Sequence, residues 1–240
     1  MTPIVYVIAT ADAARLRAVL DSLVAVETVH VIDNTDGGLS VEEYPNAING
    51  GRSGTTRAIN AALRHFTATY DAEHCPVILH DAFIPEAGCV DVLTAEIASG
   101  AGLAAPMQVK ESNPSIVACG GYGVGYPMAQ CLTGMRGADN IVRDTPRWVS
   151  LLAVALHPGM LCEVGMLDEW LVEFYADVDY CLRATAASWP IVFNPAAVVT
   201  REERRPTGSE TAQRRVGRQL MLDRWYFDHK WGEGAIRGVS

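Results

Sequence analysis

The chain contains no apolar run approaching the roughly 18 uncharged residues that a membrane-spanning helix requires, so the sequence offers no transmembrane segment. Its longest candidate, Trp148 to Leu156, has only the length of a buried strand. No basic stretch precedes the first apolar run, and Pro3 to Ile8 reads as a strand rather than a signal peptide. The six cysteines form no C-x-x-C pair, which excludes a zinc ribbon and a thioredoxin-type site. Most of them lie in apolar stretches, where a free thiol acts as a small hydrophobe, so a reducing, cytoplasmic compartment is expected. Basic charge is in deficit. Nineteen Lys and Arg stand against 28 Asp and Glu, a net −9 that argues against nucleic acid as a partner. Both common phosphate-binding motifs are missing: no glycine loop ends in G-K-[ST], and no glycine cluster follows the first strand.

What is present is an alternation of strands and helices. Ile4 to Ala9 is continuously apolar, as in a strand buried on both faces. Leu16, Val19, Leu20 and Leu23 repeat at helical spacing. Strands are expected at Thr28 to Asp33, Cys75 to Leu79 and Leu103 to Val109. Helices are expected after Gly50-Gly51 and from Pro85 to Ile97. Further on, the pattern gives an apolar strand at Trp148 to Leu156, a helix at Asp177 to Ala187, a strand pair at Pro190 to Val199 and one helix from Ser209 to Trp231. This order predicts an α/β fold with a mostly parallel central sheet flanked by helices, and ligands in such sheets bind beyond the carboxyl ends of the strands. Asp33, Asn34, His80 and Asp81 all fall at those ends. The segment from Lys110 to Arg147 is irregular and rich in Gly and Pro.

Four stretches carry the candidate chemistry. Val31-Ile-Asp-Asn-Thr-Asp-Gly37 ends a strand, and its carboxylate either accepts an imide N–H of a pyrimidine base or simply shapes a turn. In Asn49-Gly-Gly-Arg-Ser-Gly-Thr-Thr-Arg-Ala-Ile-Asn60 the glycines either aim backbone N–H groups at an anion, with Arg57 reaching a diphosphate, or serve packing. Val77-Ile-Leu-His-Asp-Ala-Phe-Ile-Pro85 delivers a polar tip at which Asp81 either meets a divalent cation or caps the next helix. The fourth stretch, Val164 to Arg183, sets Asp168, Glu169, Glu173, Asp177 and Asp179 among aromatics.

In order, these stretches resemble the inverting glycosyltransferases of family 2, with the GT-A fold. The matching residues are Asp33 to Gly37, Asn49 to Asn60, the strand end at His80-Asp81-Ala82 followed by Pro85, and the set Gly165, Asp168, Glu169, Phe174, Asp177, Asp179 and Arg183. The ending Tyr226-Phe-Asp-His-Lys-Trp-Gly232 is similar to that of rhamnosyl- and galactofuranosyl-transferase-like members. Three positions depart from the pattern. The family's Asp-x-Asp is here His80-Asp81-Ala82, the acid before Asp177 is Ala176, and a histidine after the last strand is Arg201.

The resemblance implies transfer of a sugar from a UDP- or dTDP-linked donor to a glycan, lipid-linked or protein acceptor. It assigns Asp177 as the catalytic base and Thr10, Asp33, Arg57, Asn60, His80 and Asp81 as the donor-binding set. Asp168, Glu169, Trp148 and Arg201 are the expected substrate-binding residues. His80 and Asp81 are the expected ligands of a Mn²⁺ or Mg²⁺ ion, with Arg201 as the alternative source of positive charge. It also implies a catalytic domain over residues 1–205 and a helical extension over 206–240. Two rival readings stay open: a non-catalytic nucleotide-sugar or glycan-binding relic, and a sugar nucleotidyltransferase, whose glycine loop Gly50 to Arg57 partly matches. Residues 201–240 hold nine Lys or Arg against six Asp or Glu, a local +3. That tail is a solvated helix face, a homodimer contact, or a surface for an anionic acceptor or a membrane, to which the protein would then be peripheral.

Overall fold

The structure is a computed structural model that describes residues 1–10, 13–51, 54–110, 115–117, 120–121, 134–135, 143–201 and 210–237. In chain order the elements are β1 (Thr2–Ala9), α1 (Ala13–Ser22), β2 (Val29–Asp33), β3 (Ile48–Asn49), α2 (Thr55–Thr69), β4 (His74–His80), β5 (Phe83–Pro85), α3 (Cys89–Ala98), β6 (Leu103–Lys110), β7 (Ser115–Val117), β8 (Gly120–Gly121), β9 (Gly134–Met135), β10 (Trp148–Val149), β11 (Ala153–Leu156), α4 (Pro158–Val164), α5 (Ala176–Ala186), β12 (Ile191–Arg201) and α6 (Glu210–Arg237).

The central sheet runs β3-β2-β1-β4-β11-β6-β12-β5. β3, β2, β1 and β4 are mutually parallel, as are β6 and β12, while β11 is antiparallel to both β4 and β6. β1 sits where the strand order reverses, with β2 on one side and β4 on the other. The carboxyl ends of β1, β2, β4 and β12 therefore share one edge, which is where a ligand crevice forms in such sheets.

The period-2 alternation of each strand divides the core into two layers. Ile4, Tyr6 and Ile8 of β1 face one side, with Ile59, Leu63 and Phe66 of α2, Tyr180 and Cys181 of α5, and Phe227 of α6. Val5, Val7 and Ala9 face the other, with Leu16 and Val19 of α1 and Leu93 and Ile97 of α3. Both faces are covered, so β1 has no polar side to show, which explains its unbroken apolar sequence.

Four local expectations are corrected. Phe83–Pro85 is a short edge strand antiparallel to β12, and the helix begins only after Gly88, so Asp81 caps nothing. The N-cap of α2 is Gly54 rather than Gly50-Gly51. Trp148 to Leu156 is split into β10 and β11 by a turn at Leu151 and Leu152. Pro190 to Val199 is one strand, β12, with a register shift between Asn194 and Val198. Residues 122–125 of the Gly-rich stretch and most of the segment 110–147 lie outside the described residues, as do Ala11, Arg52, Ser53, Cys119 and Cys131. Cys75, Cys89 and Cys181 are free and buried, and Cys162 is free and exposed. Among the described residues no helix is long and apolar enough to cross a membrane.

Candidate active site at the carboxyl edge of the sheet

Two cavities open on the carboxyl edge. The first, about 260 Å³, is lined by His80 and Phe83 after β4, Thr55 and Ile59 of α2, Glu173, Phe174 and Asp177 around the start of α5, and Arg201 at the end of β12. The second, about 370 Å³, is lined by Ala9 and Thr10 after β1 and by the loop from Thr35 to Tyr44 after β2. Asp81 joins them. Its Oδ2 accepts the Thr10 backbone N–H at 2.6 Å, its Oδ1 accepts the Thr10 hydroxyl at 2.9 Å, and His80 Nδ1 lies 3.0 Å from Oδ1. Burial alone would raise the Asp81 pKa, but these partners outweigh it and hold the carboxyl below its ordinary range. His80 Nδ1 also lies 3.1 Å from the Ala82 N–H. Protonated, it donates to Asp81, and unprotonated it accepts from Ala82, so it serves one partner at a time.

Asp177 lies in the first turn of α5 and is half-buried, open toward the first cavity and enclosed elsewhere. Burial pushes its pKa up to about 6, against the opposing pull of the Val178 N–H at 2.9 Å. A carboxylate with that value is ionised at neutral pH and still basic enough to take a proton from a hydroxyl in flight. Tyr175, two residues earlier, takes a left-handed backbone (φ 63°), a conformation that costs a non-glycine residue about 1–3 kcal/mol. The turn into α5 is thereby held in a conformation that nothing in the sequence announces.

Asp33 points into its own loop. Oδ1 accepts the Thr35 N–H and hydroxyl, and Oδ2 accepts the Leu39 N–H at 3.0 Å. It shapes the wall of the second cavity and leaves little free acceptor capacity for a base. Among the described residues of the glycine stretch, the Gly50 N–H donates to the Asp33 carbonyl at 2.8 Å, the Gly51 N–H to Asn49 Oδ1 at 2.8 Å and the Thr56 N–H to the Val172 carbonyl at 3.3 Å, while the Thr56 hydroxyl donates to the Leu171 carbonyl. Gly54 has φ +100°, and a Cβ there would lie 2.5 Å from Val172 Cγ1. Its glycine is required by close packing of α2 on the loop before α5.

Asn60 is buried beneath the cavity, its amide holding the Leu167 carbonyl and N–H and Glu169. Arg57 and Arg64 both meet Glu169, whose pKa is lowered by the Asn60 and Arg64 hydrogen bonds. Arg57 and Glu169 thus bind one another at the rim, and neither is among the lining residues of the first cavity. Trp148 is buried in the core, with 3% of its surface accessible. The structure therefore brings His80, Asp177 and Arg201 together and places Asn60 and Trp148 inside the packing.

The two most distinctive motifs lock onto each other. Asp168 Oδ2 accepts from the Tyr226 hydroxyl at 2.9 Å and from Lys230 Nζ at 2.7 Å. Asp179, fully buried, accepts from Lys230 at 2.8 Å, Trp231 Nε1 at 2.9 Å and Arg183 Nε at 3.0 Å. Asp223 of α6 accepts the backbone N–H groups of Val172, Glu173 and Phe174. Glu173 in turn takes the Thr55 hydroxyl at 2.8 Å. Sequence reading passed over Asp223, Thr55 and Tyr175, and counted Glu173 among the acids without giving it a role. An acid directly after the apolar run Leu220-Met-Leu222 was the one available signal for Asp223.

No protein-family model matches the chain, and no curated protein matches its sequence. Solved structures match its shape. GalNAc-T7 with UDP, GalNAc and Mn²⁺ superposes with a TM-score of 0.62 at 12% identity, over 91% of this chain and 47% of that one. The mannosyltransferase PcManGT from Pyrobaculum calidifontis, in complex with GDP-Man and Mn²⁺, gives 0.55 at 16% identity over 99% and 69%. A197 from STIV gives 0.50 at 12% identity over 83% and 84%. The chain thus spans about half the length of GalNAc-T7. The fold is the GT-A fold of nucleotide-sugar glycosyltransferases.

The Mn²⁺ in two of those structures raises the question of a cation here. At this strand end Asp81 is committed to Thr10 and His80, and Ala82 offers no ligand. Among the described residues no group of three or more His, Cys, Asp or Glu could hold a metal. Among the described residues, the donor set at this strand end does not fit a cation held by the protein.

Proposed function

We infer that this protein is a glycosyltransferase that moves a sugar from a nucleoside-diphosphate donor, UDP- or dTDP-linked, to an acceptor hydroxyl with inversion. The observation that carries this reading is Asp177, a carboxylate held near pH 6 in a strand-end cavity that also presents Arg201. The nucleoside occupies the second cavity under the Thr35–Tyr44 loop, and the diphosphate passes Asp81 and His80 into the first. The acceptor oxygen attacks the anomeric carbon from the face opposite the leaving phosphate. As that bond forms, the hydroxyl proton passes to Asp177 and the bond to the phosphate oxygen breaks. A single displacement of this kind inverts the centre.

The charge that develops on the leaving diphosphate falls to Arg201, whose guanidinium is fixed over the Phe83 ring at 5.8 Å. A guanidinium can pair two phosphate oxygens at once. Residues 1–205 form the catalytic domain in this reading, and 206–240 its helical extension.

Thermal shift with UDP, dTDP, GDP and CDP, each with and without Mn²⁺, tests it. A ligand at about 100 times its dissociation constant adds about 2.7 kcal/mol of stability. A shift with UDP or dTDP that does not need Mn²⁺ is the expected result. No shift with any nucleotide removes the donor site and with it the transferase reading.

A further inference from the structure

The outward face of α6 has no task in this scheme. From Arg214 to Trp225 its exposed positions are Arg214, Arg215, Val216, Arg218, Met221, Leu222, Arg224 and Trp225, together with Gly217. The one acid in that stretch, Asp223, is buried under the helix. At 100° per residue Arg218, Met221, Leu222 and Trp225 fall on one side, opposite Asp223 and Phe227. Met221 is 73% exposed and Trp225 68%. Trp170, 76% exposed, stacks on Tyr226 at 6.1 Å and extends the apolar surface past the helix edge. Two exposed tryptophans and two aliphatic side chains among arginines are costly to leave in water on a chain with charge to spare elsewhere.

We propose that this face docks the protein on an anionic membrane surface, lying in the headgroup layer with Trp170, Leu222 and Trp225 inserted and Arg215 and Arg218 against lipid phosphates. Charge selects this occupant. The chain is −9 overall, yet from Arg214 to Trp225 the exposed positions of the helix are cationic or apolar, the composition of an interfacial helix, and Asp228 just beyond them is paired with Arg224 at 3.4 Å. A second copy of the chain would bring a cationic face to a cationic face, which a two-fold contact penalises. Trp170 belongs to the loop whose Glu173 and Phe174 line the catalytic cavity, so the same loop borders both surfaces. Docking places the cavity next to the headgroup layer and makes a lipid-linked acceptor the natural substrate class. That last step rests on the transferase reading, whereas docking itself does not.

The test is flotation of the full chain with phosphatidylcholine vesicles, with and without phosphatidylglycerol, and tryptophan emission read in parallel. Binding is expected only with the anionic lipid, with a blue shift of emission and weakening as salt rises. Arg215→Gln and Arg218→Gln should each lower the partition about fivefold. Trp225→Ala with Leu222→Ala should lower it about tenfold or more. All four positions are exposed and outside the catalytic set, so melting temperature and nucleotide-induced shift should stay as in the wild type. Equal binding to neutral vesicles, no binding to either, or variants that partition like the parent each overturn the proposal. So does a dimer that Trp225→Glu splits in a chain that ignores vesicles. The nucleotide shift, recorded on the same samples, separates failure of docking from failure of the donor site.

Discussion

Replacing Asp177 by Asn should remove transfer and at the same time stabilise the protein. The carboxyl has an ordinary value of 3.8 and is raised to about 6 in the folded chain by burial. Between those two values the folded state holds a proton that the unfolded state has released. Stability therefore falls as pH rises through this window, and above pH 6 the folded protein carries the full cost of a buried charge. At about 1.4 kcal/mol per pH unit, the ceiling on that cost is about 3 kcal/mol. Asn keeps an oxygen for the Val178 N–H, although a neutral acceptor bonds it more weakly, so about 1–3 kcal/mol of stabilisation is expected at pH 8. For a chain of this size each kcal/mol is worth about 2–4 °C in Tm. Melting curves of both proteins from pH 4 to pH 8 should differ least at pH 4 and most above pH 6.5. Turnover should fall by roughly 10²–10⁴-fold with the nucleotide shift intact. A stability difference that is flat with pH, or a variant that still transfers at near the parent rate, would refute the assignment of Asp177 as a buried general base.

Four further outcomes follow from the same geometry. Wild-type turnover should rise with pH through about 6 as Asp177 ionises, and a pH–rate profile with no inflection there would contradict the base assignment. Arg201→Ala should cut kcat by more than about tenfold with Tm nearly unchanged, because the side chain is exposed, and Arg201→Lys should recover little of it. Asp223→Ala strands the N–H groups of Val172, Glu173 and Phe174 and should cost about 2–4 kcal/mol in urea unfolding, with Asp223→Asn milder. Gly54→Ala must relieve both a left-handed backbone and a 2.5 Å approach to Val172, so about 2 kcal/mol of stability and most of the turnover should go together.

The sheet was readable because burial on both faces leaves a strong mark on a strand. β1 and β4 are nearly unbroken apolar runs, and the strand-end position of His80 and Asp81 follows from them. α5 and α6 showed in their spacing. The side chains' partners were not readable. Whether Asp81 turns toward a ligand or toward Thr10, 71 positions away, depends on packing that no local pattern encodes. The glycines of the Asn49–Asn60 stretch fit either anion binding or close approach, and the neighbours that crowd them, Ile32 and Asp33 at Gly50 and Val172 at Gly54, come from distant parts of the chain that no local pattern shows. Asp168 is expected to bind substrate because its partners Tyr226 and Lys230 lie some 60 residues downstream, and of the donors to Asp179 only Arg183 is local, the Lys230 ammonium and the Trp231 N–H lying some 50 residues away. Phe83–Pro85 is apolar enough to pass for the start of a helix, and it becomes a strand because the edge of β12 is there to pair with.

The hold of Asp223 on the loop before α5 also sets an order of events during synthesis. The sheet elements β1 to β12 all leave the ribosome before α6 does, and chains fold from the N-terminal side as they emerge. The cavity wall at Glu173 and Phe174 must nevertheless wait for a carboxylate about 50 residues further along. A nascent chain at that stage can have its sheet and lack the finished wall of this cavity, so under the proposed transferase reading donor turnover has to wait until α6 has docked.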